Sequence, residues 1–300
     1  MKTSSHLESP LQTIKHPLLT AKKIQLQVKR DDLLHPSVQG NKWRKLKYNL
    51  IALKRQQSQC LLTFGGAFSN HLYATAMASK LFHIPAHFIV RGPHLDLSNP
   101  TIRFAKACKV NLHPVTRIEY RQRHDVHYLE QLKHQFPSAF IIPEGGSNQF
   151  ALQGCKELAQ SLPPSDYLCC AVGSGGTLAG ILQGVHKTTK VLGFAVLKNA
   201  EYLNGEVTTL NPSALELTNW QILTEFHGGG YGKFSTSLWD FCQTMKRDHH
   251  LPLEPIYTGK MMYGLWQMIE QDQFPQHSRI IAIHTGGLQG LDGLRYRRLI

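Results

Sequence analysis

Residues 167–185 read YLCCAVGSGGTLAGILQGV, and the change of pattern inside this stretch decides the fold. A short apolar run without polar alternation, YLCCAV, is what a strand buried on both faces requires. Glycines and hydroxyls break the run at Gly173-Ser174-Gly175-Gly176-Thr177, and apolar positions resume at helical spacing from about Thr177. The stretch therefore reads as strand, tight turn, helix.

The same signature recurs on either side. LLTF at 61–64 precedes a helical stripe from His71 to Phe82, and AHFIV at 86–90 precedes NPTIRFAKACKV. AFIIP at 139–143 precedes a stripe from Phe150 to Leu162; VLGFAVL starts at 191 and RIIAIH closes the series at 279–284. This alternation predicts an α/β protein with mainly parallel sheets, helices on both faces and ligands at the carboxyl ends of the strands. No repeat of 20–50 residues and no Gly/Ser-rich linker occurs, so a second lobe must be inserted. We expect a large domain of residues 1–44 and 146–300 and a small one of residues 45–145.

Glycines follow four of these runs: Gly65-Gly66, Gly145-Gly146, Gly173 to Gly176, and Gly286-Gly287. Ordinary βα turns explain any one of them; as a set they suggest backbone that must approach a ligand at one sheet edge. In AVGSGGTLAG, glycines let amides converge at a helix start whose dipole favours an anion. A phosphate cup and a plain glycine-rich turn both satisfy this segment. No Lys follows the last glycine, and Leu178 stands where a dinucleotide motif needs its third, so neither of those nucleotide loops fits.

Two further segments carry chemistry. In GNKWRKLKYNL, residues 40–50, Arg44, Lys45 and Lys47 read as a solvated helix face. Lys42 differs by standing at the helix start, where the positive helix end lowers an amine's pKa and suits it to attack an aldehyde. In GGAFSNHLYATAMASK, residues 65–80, Ser69 and Asn70 are good caps for a helix reaching Lys80 or Leu81. Equally, the Ser69 hydroxyl and the amides of Asn70 and His71 could hold a carboxylate, and the segment alone leaves both readings open.

The 300 residues carry a net charge of +13 with 42% hydrophobic and 18% charged residues, which excludes a disordered chain. The charge favours anionic partners. Arg117, Arg121 and Arg123 beside Tyr120 raise nucleic acid as a rival, but no helix-turn-helix, zinc or RNA-binding signature accompanies them. Metal hydrolysis lacks HExxH, and His124 with His127, a close pair at helical spacing, has no obvious third ligand. Most of the 17 histidines read as surface residues, and serine hydrolysis lacks GxSxG. No run approaches 18 apolar residues, and the N-terminal MKTSSHLESPLQTIKHPLL lacks a signal-peptide core. Six cysteines without CxxC spacing, mostly in apolar segments, suit buried thiols in a reducing cytosol.

Taken in order, GNKWRKLKY around Lys42, SNH at 69–71, EGGSN at 144–148, GSGGT at 173–177, GYG at 230–232, PIYTGKMMYGL at 255–265 and HTGG at 284–287 resemble one known family. It is the 1-aminocyclopropane-1-carboxylate deaminase/D-cysteine desulfhydrase family, pyridoxal-phosphate enzymes of the tryptophan-synthase-β fold type (fold type II). The match runs from about Val28 to Gly287. The resemblance implies pyridoxal 5'-phosphate as cofactor, with Lys42 joined to its aldehyde and moving the α-proton. Asn70 is similar to the asparagine that bonds the cofactor's phenolic oxygen, and Gly173, Ser174, Gly175, Gly176 and Thr177 resemble its phosphate loop. Ser69 aligns with a serine at the substrate carboxylate and α-carbon; Tyr231 and Tyr257 align with two substrate-facing tyrosines.

Thr258 and Thr285 bear on the reaction. Facing the pyridine nitrogen, neutral hydroxyls make a weaker electron sink than a carboxylate would, and loss of a good β-leaving group needs less of one. In the family, deaminases of the cyclopropane substrate carry Glu and Leu at these positions and desulfhydrases carry Ser or Thr and Thr, so YTGK and HTGG resemble the desulfhydrase branch. The expected reaction is β-elimination from D-cysteine or a related small amino acid, giving pyruvate, ammonia and sulfide. Deamination of the cyclopropane substrate, serine dehydration and racemisation are the alternatives. Phe68 stands where a Gln usually precedes SNH, and a basic tail, Arg295-Tyr296-Arg297-Arg298, extends past HTGG. The resemblance further implies a cytoplasmic homodimer acting on a small amino acid, with no membrane or nucleic-acid partner and the cofactor in the cleft between lobes.

Overall fold

The computed structural model describes residues 8–35, 38 and 40–300. In chain order its regular elements begin with β1 (Leu11–Ile14), α1 (Pro17–Ala21) and β2 (Gln25–Lys29). Then come α2 (Asn41–Arg55), β3 (Cys60–Gly66), α3 (Asn70–Phe82), β4 (Ala86–Arg91), α4 (Pro100–Ala107) and β5 (Asn111–Val115). They continue through α5 (Arg117–Arg121), α6 (Val126–Gln135), β6 (Ala139–Ile142), α7 (Gln149–Gln160), β7 (Tyr167–Val172), α8 (Gly176–Leu182) and β8 (Lys190–Ala195). The last are α9 (Leu203–Leu210), β9 (Trp220–Leu223), α10 (Thr236–His249), α11 (Thr258–Glu270), β10 (Arg279–Ile283) and α12 (Gly290–Tyr296).

The chain forms two compact units, one of residues 1–41 and 155–288, the other of residues 42–154 and 289–300. In the first, six strands run in the order β1-β2-β10-β7-β8-β9, all parallel except the β1–β2 pair. Inward residues of its central strands, among them Leu26, Val28, Leu192, Phe194 and Ala282, pack with Met261, Met262, Leu265 and Ile269 of α11 and with Leu238 and Met245 of α10. Burying each large side chain of this set contributes roughly 1.5–3 kcal/mol. In the second unit, four parallel strands run in the order β5-β4-β3-β6.

Helix starts follow the short polar residues that precede them. Ser69 accepts from the Leu72 N–H, Asn99 from Thr101 and Ile102, Thr116 from Glu119, and Asp125 from Tyr128.

The unit boundaries differ from the expected 44/45 and 145/146, for reasons of packing. Helix α2 is uninterrupted from Asn41, and Asn148 Nδ2 donates to Asn49 Oδ1 at 2.7 Å. Gly154 lies so close to α2 that a β-carbon there would stand 2.1 Å from the Arg44 carbonyl oxygen. The chain's last helix also belongs to the smaller unit, where the Tyr296 hydroxyl bonds Asp96 and the Arg297 guanidinium lies 4.9 Å from the centre of the Phe68 ring.

Candidate active site

In the larger unit, the loop after β7 is built by glycine. A β-carbon on Gly173 would come 3.0 Å from Tyr257 Cε1, and Gly175 has φ +74 with Val207 Cγ2 3.2 Å from where its β-carbon would lie. Gly175 is also the N-cap of α8 and supplies no side-chain cap, and the first-turn amides of α8 have no acceptor within the helix. Thr177 is buried, and its hydroxyl accepts from Asn41 Nδ2 at 2.9 Å. A shallow cradle of glycine backbone with a fixed hydroxyl fits a phosphate.

The neighbouring strand, β10, is followed by His284-Thr285. The Thr285 hydroxyl lies 3.2 Å from that of Thr258, the first residue of α11, and both threonines are buried. Glu254 is fully buried nearby in the chain, yet its oxygens are committed to backbone, accepting from Ile256, Tyr257 and Thr258 N–H at 2.7–3.1 Å. The Thr258–Thr285 contact is a pairing of neutral hydroxyls, and that suits an aromatic nitrogen that is not held protonated. The rings of Tyr231 and Tyr257 meet edge to face, 5.9 Å between centres. Tyr231 is 46% exposed, whereas Tyr257 is packed against the core.

Asn41 bridges these parts. Besides holding Thr177, it donates its backbone N–H to the Thr285 carbonyl at 3.2 Å, and Lys42 is the next residue in the chain. Gly40 is indispensable to that path: its φ is +65, and a β-carbon would sit 1.8 Å from Thr285 O.

In the smaller unit, Lys42 stands half-buried in the first turn of α2. Ser69 caps α3, accepting from Leu72 N–H at 3.3 Å, and Asn70 and His71 open that helix with amides that have no acceptor within it. His71 is buried. Its Nε2 lies 2.7 Å from Thr63 Oγ1, which itself donates to the Ile142 carbonyl, so Nε2 carries the proton. Burial holds the His71 imidazole well below its ordinary pKa, and the charges of Lys42 and Lys45 push it further down. Within this unit, then, Lys42 is close enough to be felt by the helix start at Ser69–His71.

Several sequence readings need correction. Lys45 is not on a solvated face: it is buried, its ammonium donating to Gly145 O at 3.0 Å and Ser147 Oγ at 2.9 Å. That contact gives the EGGSN segment its anchor. Histidines 71 and 284 are core residues rather than surface ones. His284 Nδ1 accepts from Gly286 N–H at 3.1 Å and Nε2 donates to Pro252 O at 2.6 Å, which fixes the HTGG turn. Tyr120 is buried and Arg123 is paired with Glu144 at 2.6 Å, so the supposed basic-aromatic cluster offers no open stacking face. Asn41, Glu254 and Lys260 were missed. The first could have been found as the polar residue between an obligate glycine and Lys42; the other two flank YTG but look like surface charges in a linear reading.

Residues 6–286 match the family described as pyridoxal-phosphate dependent enzyme. The mitochondrial bifunctional D-cysteine desulfhydrase/1-aminocyclopropane-1-carboxylate deaminase of Arabidopsis thaliana is 29% identical, over 96% of this chain and 78% of that protein. The D-cysteine desulfhydrase of Yersinia enterocolitica is 25% identical, over 89% of this chain and 88% of that one. Among solved structures, an ACC deaminase homologue superposes with a TM-score of 0.80 at 26% identity, covering 97% of this chain and 93% of that one. With a glycine cradle suited to its phosphate and a lysine at a helix start, this chain belongs to the pyridoxal-phosphate-dependent enzymes, in the family of the 1-aminocyclopropane-1-carboxylate deaminases and D-cysteine desulfhydrases.

Proposed function

We propose that the protein removes sulfide and ammonia from D-cysteine, or from a closely related small amino acid with a β-leaving group, leaving pyruvate. The observation that carries this reading is the buried Thr258–Thr285 hydroxyl pair at 3.2 Å, where a carboxylate would support deeper charge delocalisation. Pyridoxal phosphate, when bound, supplies the electron sink that makes the substrate's α-proton acidic. Residues Gly173–Thr177 are read as the phosphate grip, Thr258 and Thr285 as neutral neighbours of the ring nitrogen, and Asn70 as the partner of the phenolic oxygen.

The chain's own groups divide the remaining work. Lys42 would hold the cofactor by its aldehyde carbon, and its amine would take the substrate's α-proton. The Ser69 hydroxyl with the amides of Asn70 and His71 receives the substrate carboxylate, since a helix start favours an anion. Tyr231 and Tyr257 orient the amino acid's side chain, and the departing hydrosulfide takes up a proton. Three products and one water balance the reaction: cysteine and water give pyruvate, ammonia and hydrogen sulfide.

A direct test uses purified protein loaded with pyridoxal phosphate. We expect a yellow protein that loses its colour on borohydride treatment, a colourless Lys42→Ala variant, and release of sulfide and 2-oxo acid from D-cysteine in a panel of D- and L-amino acids. Turnover of 1-aminocyclopropane-1-carboxylate or serine with none of D-cysteine would reject the substrate assignment. Five of the six free cysteines are buried, which supports a reducing compartment, and we place the protein in the cytoplasm. Among the described residues no helix is long and apolar enough to cross a membrane. We also propose a homodimer, to be checked by the mass of the particle in solution.

A further inference from the structure

Glu254 and Lys260 are ionisable, buried to 0% and 1% exposure, and outside the chemistry derived above. Burying an ion is costly unless its hydrogen-bonding capacity is met, so what each one grips is informative. Glu254 grips the chain just ahead of α11: Oε2 accepts from Ile256 and Tyr257, Oε1 from Tyr257 and Thr258. Lys260, six residues on, grips two other segments, donating to Gly230 O at 2.6 Å and to Val196 O at 3.2 Å. Gly230 immediately precedes Tyr231. Val196 follows β8, and its N–H is bonded to Val172 O, the residue before the glycine cradle.

Around the Gly230–Tyr231 turn the backbone bonds are local, Gly230 N–H donating to His227 O, Lys233 N–H to Gly230 O and Gly229 N–H to His227 Nδ1. Gly228, Gly229, Gly230 and Gly232 all have positive φ, between +58 and +110, so the backbone there is chosen by its contacts rather than by side-chain sterics. The Lys260 ammonium ties this turn to α11, whose N-cap is Tyr257. Packing supports the arrangement, since a β-carbon on Gly228 would approach Lys260 Cε to 3.3 Å.

We propose that Glu254 and Lys260 are positioning residues that set the separation and tilt of Tyr231 and Tyr257, and through them the affinity for the amino-acid substrate. The inference rests on the reading of the two tyrosines as substrate-facing. Neither residue is assigned a contact with substrate or cofactor in that reading. Glu254, just ahead of α11, fixes one ring's backbone, and Lys260, in the first turn of α11, fixes the other's.

The test uses the enzyme loaded with pyridoxal phosphate and compares Lys260→Met, which keeps the length but loses the donors, with wild type. KM for D-cysteine should rise roughly tenfold with kcat within about threefold, because displacement of a positioning group by an ångström is costly. The dissociation constant for pyridoxal phosphate, read by fluorescence titration, should stay within about threefold, since the cradle and Lys42 are unaltered. In a Tyr231→Phe background the KM effect of Lys260→Met should largely vanish, as expected for residues acting through one contact. A crystal structure of Lys260→Met should show the Tyr231 ring moved by about 1 Å or more from its 5.9 Å approach to Tyr257. If Lys260→Met does not fold, Lys260→Gln, which keeps one donor, is read in the same way. An unmoved Tyr231, an unchanged KM, or additive effects in the double variant overturn the proposal. If instead wild type fails to turn over D-cysteine while Tyr231 moves in the variant, the substrate assignment falls and the positioning role stands.

Discussion

At Gly40 the demands of backbone geometry and of the site coincide. Its φ of +65 disfavours any side chain, and the 1.8 Å approach to Thr285 O leaves no room for one. Gly40→Ala must therefore tear Asn41 away from Thr177 and Thr285 or distort the HTGG turn. We expect a loss of at least about 2 kcal/mol in thermal or urea unfolding and a clear weakening of pyridoxal-phosphate binding by titration. Phe68 offers a milder probe. Its ring packs where Gly293 comes closest, a β-carbon there standing 2.8 Å from Cδ1, and the Tyr296 ring and Arg297 guanidinium lie 6.2 and 4.9 Å away. Phe68→Gln should leave cofactor binding nearly intact, lower Tm by a few degrees, and change the relative kcat/KM among small amino acids, because it restores an amide beside Ser69. Identical selectivity in the variant would show that Phe68 does not bear on substrate choice. Lys42 could be singled out in the sequence because its setting is local, a lysine at a helix start behind Gly-Asn. Lys45 could not, since its partners Gly145 and Ser147 are a hundred positions away and only the folded chain brings them near.

Elements were legible in proportion to their burial. The strands read from the sequence, β3, β4, β6, β7, β8 and β10, are the apolar runs, and they include every strand in the middle of the two sheets except β2. β5 and β9 lie at sheet edges, carry polar residues and, in β5, Pro114; β1 is an antiparallel edge with only Ile14 buried. An edge strand has one ladder and one exposed side, so its sequence is under weaker apolar constraint. Helix α3 has a clear start and an ambiguous purpose, because its Ser69 is both cap and proposed carboxylate site. Two substitutions separate these roles. Ser69→Ala removes the acceptor for Leu72 N–H and should cost about 1 kcal/mol of stability. Ser69→Asp keeps a strong cap, and its charge favours the helix dipole, so Tm should stay at or above that of Ser69→Ala. The same charge repels a substrate carboxylate, so kcat/KM should fall further in Ser69→Asp than in Ser69→Ala. Activity that instead tracks Tm across the two variants would reduce Ser69 to a cap.

Across the molecule, imidazoles shift in one direction. Burial lowers the pKa of His71 and His284, both inaccessible, and of the half-buried His35, His87, His113 and His249. The folded chain keeps these rings neutral at pH values where the unfolded chain protonates them, below about 6.5. Between the depressed folded values and that limit the unfolded state binds more protons, so stability falls as pH falls. Glu254 acts the other way: burial raises its carboxyl to about 8, partly offset by its backbone donors, so over pH 5–7 the folded state binds up to one proton more there. One opposing proton is outweighed by six imidazoles. His71 and His284 alone contribute up to about 1.4 kcal/mol per pH unit each within their window. Thermal unfolding at constant ionic strength should therefore show Tm dropping steadily from pH 6.5 to 5.5, and proton uptake on unfolding at pH 6 should be positive. His71→Gln, which can still donate to Thr63 Oγ1, should reduce that uptake by a measurable fraction of a proton while leaving the direction unchanged. A Tm that is flat or climbs as the solution is acidified would mean that the buried imidazoles are charged in the folded protein, and with it that the Nε2–H tautomer assigned to His71 beside Lys42 and Lys45 is wrong.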